Sequence, residues 1–216
     1  MSLAENLREI KNKLPEGVTL VAVSKTKPAE AIQTLLAAGQ LDFGENKVQE
    51  MIEKQAVLPD NIRWHLIGHL QKNKVKYIAE FVHLIHSVDS EKLLAEINKQ
   101  AVKHQRVIPC LLQIKIAEED TKFGMDFKDA KELMNNYKSN YPNVKIVGLM
   151  GMATLTDDEN QIRREFQQLN NSFESFKEEF PEMEILSMGM TGDYAIAISE
   201  GSNMVRIGSA IFGERS

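Results

Sequence analysis

TLVAVSK (19–25) runs directly into TKPAEAIQTLLAAG (26–39). The first stretch is a continuous apolar run of strand length. In the second, a proline precedes apolar residues spaced by three and four, the pattern of a helix that packs one face. The same couplet recurs down the chain. LDFGEN (41–46), RWHLIG (63–68), LIHSVD (84–89), PCLLQIK (109–115), VKIVGLM (144–150), EILSMGM (184–190) and MVRIGSA (204–210) bring the strand-like runs to eight. Helical patterns such as SEKLLAEINKQAVKH (90–104) and NQIRREFQQLNNSFESFKEEF (160–180) separate them. Strand alternating with helix returns the chain to the same end of the sheet each time, so the sheet is parallel. Eight units in 216 residues predict an α/β fold, a single (β/α)8 TIM barrel domain spanning residues 1–216, at the small end of that architecture. An open doubly wound sheet would carry a glycine-rich turn after its first strand, and SKTKPA (24–29) has no glycine. The amphipathic segment 2–14 precedes the first strand and predicts an extra N-terminal helix.

With 43% hydrophobic and 26% charged residues the chain has the balance of a globular protein, large enough for one sizeable core and without a linker that would divide it. Its N-terminus, MSLAENLREIKNKL, lacks the apolar segment and small-residue cleavage site of a secretory signal. The lone cysteine, Cys110, sits in the apolar run PCLLQI and reads as a reduced core residue. A cytoplasmic protein with no membrane span is expected. A net charge of −5 argues against nucleic-acid binding; Lys72, Lys74 and Lys76 form a local cluster that reads as a solvated helix face. His65 and His86 lie inside apolar runs and are expected to be hydrogen-bonded core histidines. No histidine and carboxylate pair has metal-ligand spacing, so no metal is expected.

In such a barrel the ligand site lies at the carboxyl ends of the strands. Those ends hold Lys25, Glu45, Asn46, His69, Gln71, Ser87, Asp89, Met150, SMGMTGD (187–193) and RIGS (206–209). Taken singly, Asn46 reads as a helix cap and Asp89 with Ser90 as a capping pair for the helix starting at Glu91. The last two ends are more specific. Loops after the seventh and eighth strands of barrels often hold phosphate, and here Gly189, Thr191 and Gly192 are followed by Gly208 and Ser209, offering hydroxyls and closely approaching backbone N–H groups. Such glycines also make simple turns. Arg206 lies within an apolar strand, where a guanidinium without a partner is costly. Lys25, at the end of the first strand, is well placed for a reactive amine. A phosphate, an acceptor ring nitrogen and an aldehyde for the amine together describe pyridoxal 5′-phosphate.

VAVSKTKP (21–28), FGENKVQE (43–50), WHLIGHLQKNK (64–74), HSVDS (86–90), GLMGMAT (148–154), SMGMTGDYAIAI (187–198) and GSNMVRIGSAIFGER (201–215) resemble, in order and at matching spacing, the pyridoxal phosphate homeostasis protein family. The resemblance implies a fold-type III barrel like the N-terminal domain of alanine racemase, holding the cofactor as an internal aldimine and serving vitamin B6 homeostasis. It assigns Lys25 as the aldimine lysine, Asn46 as an asparagine near the cofactor, and Arg206 as the arginine facing the pyridine nitrogen. Ser187, Gly189 and Thr191, with Gly208 and Ser209, match the phosphate-binding segments. Leu66, Ala195 and Asn203 depart from the family's common residues, and no role is carried over to the last two.

To attack an aldehyde Lys25 must be neutral, and desolvation beside cationic Arg206 would lower its pKa from about 10.4. An arginine donating to the pyridine nitrogen leaves that nitrogen unprotonated and the ring a weak electron sink. Racemisation needs acid–base groups on both faces of the α-carbon. With the chain ending at Ser216, just after the eighth unit, no second domain is expected to supply the opposing tyrosine, and Tyr77, Tyr137, Tyr141 and Tyr194 are not at strand ends. The expectation is a monomeric cofactor carrier or regulator without robust catalysis, with no catalytic residues, whose partners are pyridoxal 5′-phosphate and apo-enzymes that use it. Two alternatives stay open: a small racemase-like enzyme using Lys25 as base, and a barrel binding another phosphate ligand noncovalently.

Overall fold

The computed structural model describes residues 2–119 and 123–213. Helix α1 (Leu3–Lys13) opens the chain, capped by a reciprocal pair in which Ser2 Oγ accepts from the Glu5 amide and the Glu5 carboxylate accepts from Ser2 N–H. Strands β1 (Thr19–Val23), β2 (Asp42–Glu45), β3 (Arg63–Leu66), β4 (Leu84–Val88), β5 (Ile108–Gln113), β6 (Val144–Met150), β7 (Ile185–Ser187) and β8 (Met204–Ile207) follow. They form a closed barrel in sequence order, with every neighbouring pair parallel. All eight apolar runs of the sequence therefore became strands. β1 and β8 close the barrel in register from Thr19 opposite Met204 to Ala22 opposite Ile207.

Helices α2 (Ala29–Ala37), α3 (Val48–Gln55), α4 (Glu91–Lys103), α5 (Phe127–Asn140), α6 (Glu159–Glu179), α7 (Tyr194–Ser199) and α8 (Ser209–Phe212) lie after the strands. The third crossover departs from the pattern: Lys72–Tyr77 is a 3-10 helix. Its single buried residue is Val75, and Lys72 and Lys76 face solvent. The lysine-rich segment has too few apolar positions to seat a full α-helix on the sheet. Among the described residues no helix is long and apolar enough to cross a membrane.

Residues along each strand alternate between two environments, as a pleated strand requires. Leu20, Ala22, Phe43, Trp64, Leu66, Ile85, Leu186, Val205 and Ile207 join the large apolar layer between barrel and helices. Val21, Leu84, Leu111, Val147, Met150 and Met204 form a separate inner cluster. The barrel interior also contains a polar column. Arg63 pairs with Asp42 Oδ2, and Asp42 Oδ1 lies 2.9 Å from His65 Nε2. His65 Nδ1 lies 2.9 Å from His86 Nε2, and His86 Nδ1 lies 3.1 Å from Ser187 Oγ. Ser187 Oγ in turn accepts from Arg206 Nη1 at 2.6 Å. Both histidines are thus hydrogen-bonded core residues. Burial, helped by the charge of neighbouring Arg206, pushes the His86 pKa well below its ordinary value. Burial also raises Asp42, but its hydrogen bonds to His65 and Arg63 and the charge of Arg63 outweigh this and hold the carboxyl below its usual range. Cys110 is a free, fully buried thiol whose pKa burial pushes up, as an inert core residue should have.

Two consequences can be measured. A β-carbon added at Gly148 would lie 1.8 Å from the Ile185 carbonyl oxygen in the neighbouring strand, so Gly148→Ala should cost at least about 2 kcal/mol in chemical denaturation; an unchanged midpoint would show that β6 and β7 do not approach this closely. His86 stays neutral when folded but takes up a proton near about pH 6.5 when unfolded. Its contribution is therefore complete above that pH and declines as pH falls toward its lower folded pKa, by up to about 1.4 kcal/mol per pH unit. Urea unfolding across this range should show that slope, and the slope should shrink in His86→Phe.

Candidate functional site

The β1–β8 register sets the site, because it brings the turn after β1 beside the segment after β8 at one mouth of the barrel. A cavity of about 480 Å³ opens there. Lys25, Asn46, Thr191, Arg206, Gly208 and Ser209 all line it, so six of the eight sequence-predicted site residues converge on one space. The other two sit beneath it. Ser187 is fully buried under Arg206, where it accepts from the guanidinium. Gly189 has φ +96°, and a β-carbon there would come within 2.6 Å of the Ala197 β-carbon; it lets the loop after β7 pack against α7.

Arg206 is 4% exposed. Nη1 donates to Ser187 Oγ at 2.6 Å and Nη2 to the Gly151 carbonyl at 3.0 Å. Burial lowers its pKa to about 10, so it remains a cation at neutral pH. The loops after β7 and β8 are tied together at the mouth by Gly208 N–H donating to Thr191 Oγ1 at 3.3 Å. This places the Thr191 hydroxyl beside Gly208 and Ser209, the cluster the sequence assigned to phosphate. Ile67, Met152, Met190 and Leu155 supply apolar lining, and Leu155 is 90% exposed at the rim. Met190 lies in the strand-end run SMGMTGD (187–193), but Ile67, Met152 and Leu155 are apolar residues without a motif of their own, so sequence reasoning did not single them out.

Lys25 is half-buried in the turn following β1. Thr26 beside it has φ 64°, a left-handed conformation unusual for a β-branched residue. The strained turn is clamped from α3. Thr26 N–H donates to Glu50 Oε1, and Lys54 Nζ, 8% exposed, donates to that same oxygen at 2.7 Å, to Glu45 Oε1 at 2.6 Å and to the Ser24 carbonyl at 2.7 Å. Ser24 Oγ also donates to Glu45 Oε1 at 2.6 Å. The residues on both sides of Lys25 are therefore anchored to one buried ion cluster. Burial of Glu45, only partly offset by its bonds to Lys54 and Ser24, raises its pKa.

The remaining strand ends do other work. Asn46 is not a helix cap: Lys47 occupies that position for α3, and the Asn46 backbone is pressed so closely against Gly68 that a β-carbon there would lie 2.3 Å from the Asn46 oxygen. Ser90 takes the cap position of α4 but makes no side-chain cap bond; its hydroxyl donates to Asp89 Oδ1 at 3.2 Å, while Asp89 Oδ2 lies 3.3 Å from His69 Nδ1. His69, Gln71 and Asp89 line a separate depression beside the 3-10 helix.

Known proteins match the chain along its length, in sequence and in fold. The family model of the alanine racemase N-terminal domain matches residues 1–216. Proteins named pyridoxal phosphate homeostasis protein are 41% identical over 100% of this chain and 98% of their own length in Pasteurella multocida, and 36% identical over 99% and 97% in Escherichia coli K12. Among solved structures, PipY of Synechococcus elongatus is 37% identical and superposes with a TM-score of 0.93 without PLP and 0.91 with PLP bound, covering 98% of this chain and 100% of its own. Alanine racemase from Streptomyces lavendulae shares the fold at TM-score 0.85 and 17% identity, over 99% of this chain and 57% of the racemase. A full-length family match and relatives at this identity place the chain in the alanine racemase N-terminal domain family and, within it, among the pyridoxal phosphate homeostasis proteins.

Proposed function

We propose that this protein binds pyridoxal 5′-phosphate at the carboxyl mouth of its barrel through Lys25 and serves the homeostasis of that cofactor as a cytoplasmic, monomeric carrier or regulator. The observation that carries the reading is the convergence, in one cavity, of an amine at Lys25, a buried cationic donor at Arg206 and a hydroxyl cluster at Thr191 and Ser209. Those groups suit the aldehyde, ring nitrogen and phosphate of the cofactor, and Ile67 and Met152 suit the faces of its ring. When bound, the cofactor supplies an aldehyde that a neutral amine attacks and a ring that withdraws electrons. Arg206 holds a proton that it does not give up, so it donates to the ring nitrogen without protonating it. Thr191 and Ser209 orient the phosphate end, and Asn46 lines the side near Lys25.

The lining favours holding over turnover. Among the described residues that border the cavity there is no histidine, tyrosine, cysteine, aspartate or glutamate, the side chains that would serve as a second acid–base group at the α-carbon of an amino acid. Apo-enzymes that use the same cofactor are the proposed recipients.

Titration with pyridoxal 5′-phosphate tests this reading. Wild-type protein should develop the visible absorbance of a lysine-linked cofactor, Lys25→Ala should not, and a band retained in that variant would contradict the assignment. Arg206→Ala should weaken binding and move the band. Thr191→Ala and Ser209→Ala should lower affinity for the phosphate form more than for pyridoxal, and equal losses would remove those hydroxyls from the phosphate. Lys54→Met, which frees the Ser24 carbonyl and unties Glu45 from Glu50, should slow cofactor linkage at least about tenfold in the folded fraction; an unaltered rate would show that the clamp does not position the amine. Absence of α-proton exchange across a panel of amino acids is expected, and robust exchange lost in Lys25→Ala would make the protein an enzyme.

A further inference from the structure

The polar column inside the barrel contains groups that no part of the cavity uses. Asp42 and His65 lie toward the amino mouth, on β2 and β3, and His86 lies at mid-barrel on β4, fully buried. Their hydrogen bonds can be given a direction. A guanidinium only donates, so Ser187 Oγ must accept from Arg206 Nη1 at 2.6 Å. The hydroxyl hydrogen of Ser187 then finds its acceptor at His86 Nδ1, 3.1 Å away. That leaves the His86 hydrogen on Nε2, which donates to His65 Nδ1 at 2.9 Å. The His65 hydrogen is consequently on Nε2 and donates to Asp42 Oδ1 at 2.9 Å. Asp42 is a carboxylate that only accepts, and Arg63 holds its second oxygen. With an obligate donor at one end and an obligate acceptor at the other, every intervening group donates once and accepts once. Reversing the links strands the Ser187 hydrogen and requires an extra proton on His65.

We propose that Asp42, His65 and His86 are positioning residues for the cofactor: acting through Ser187 from the opposite half of the barrel, they lock the Arg206 guanidinium in the pose that faces the ring nitrogen. The proposal rests on the cofactor reading above. With its hydrogen tied to His86, Ser187 presents its lone pair to Arg206 in one fixed orientation instead of several. The Gly151 carbonyl, accepting from Nη2 at 3.0 Å, fixes the other arm of the fork. The two imidazoles between Ser187 and Asp42 are neutral in this order, and Arg63 balances Asp42, so the column puts no net charge beneath Arg206. Asp42, His65 and His83 also bring donor atoms within 4.8 Å of one another. His65 Nε2 and Asp42 are already committed to each other, however, and the Arg63 guanidinium on Asp42 would repel a metal cation.

The order of hydrogens can be read without the cofactor by nitrogen-15 NMR of histidine-labelled protein near neutral pH. His65 and His86 are expected as neutral Nε2–H tautomers; His86 carrying its hydrogen on Nδ1, or either ring as imidazolium, would overturn the chain. The effect on the site is tested with two variants. His86→Phe removes the acceptor for Ser187 and should weaken pyridoxal 5′-phosphate binding about three- to tenfold and shift the absorbance band, with Lys25 still the modified residue. His86→Asn, whose side-chain oxygen can accept from Ser187, should restore both toward wild type. A folded His86→Phe protein with unchanged affinity and band, or equal losses in both variants, would reduce His86 to a packing role and overturn the proposal. Should His86→Phe not fold, Asp42→Asn replaces it: a shifted band supports the column, and an unchanged one refutes it. A wild-type protein with no adduct on Lys25 would instead refute the cofactor reading, while the NMR result would still decide the hydrogen order.

Discussion

The Arg206 guanidinium is 4% exposed inside a closed sheet, and a charge in that setting is stable only where acceptors are already in place. Much of the barrel interior answers that requirement. Ser187 on β7 and the Gly151 carbonyl after β6 accept directly. Behind Ser187 the column of His86, His65 and Asp42 crosses the barrel to Arg63 at the other mouth. An apolar interior would serve a barrel that only had to be stable. This one gives up part of its inner layer to hold one cation at a fixed place and angle.

A second ion cluster fixes the turn that carries Lys25. Lys54, Glu45 and Glu50 hold the backbone of Ser24 and Thr26 on either side of it. The left-handed Thr26 is a cost consistent with that purpose, since local strain persists where surrounding bonds fix it. The two clusters lie on different strands but meet at one mouth because β1 and β8 pair in register.

The fold was legible because parallel strands buried on both faces read as continuous apolar runs, and each of the eight runs became a strand. The third crossover was less so. Its helical signal is weak in a segment rich in lysine, and it settled as a 3-10 helix. Lys25, Arg206 and the loops after β7 and β8 were legible as site residues because a charge in an apolar strand and glycine beside a hydroxyl are local signals. The resemblance assigns Ser187 to the phosphate segments; in the structure it lies under Arg206 and accepts from the guanidinium. Asp42, His65 and His86 come from three different strands, so their separations in sequence say nothing of their contacts. The clamp was hidden for the same reason: Lys54 looks like any helical lysine until α3 is docked beside β1 and β2.

The central claim is that Lys25 forms the covalent attachment point in a site organised around Arg206. It is tested most directly by incubating the protein with pyridoxal 5′-phosphate, reducing with borohydride and mapping the modified residue by mass spectrometry. A single stable adduct on Lys25 is the expected result. An adduct on Lys27, which borders the same cavity, or no adduct at all, would contradict the account and leave the barrel with a different attachment point or a noncovalent ligand.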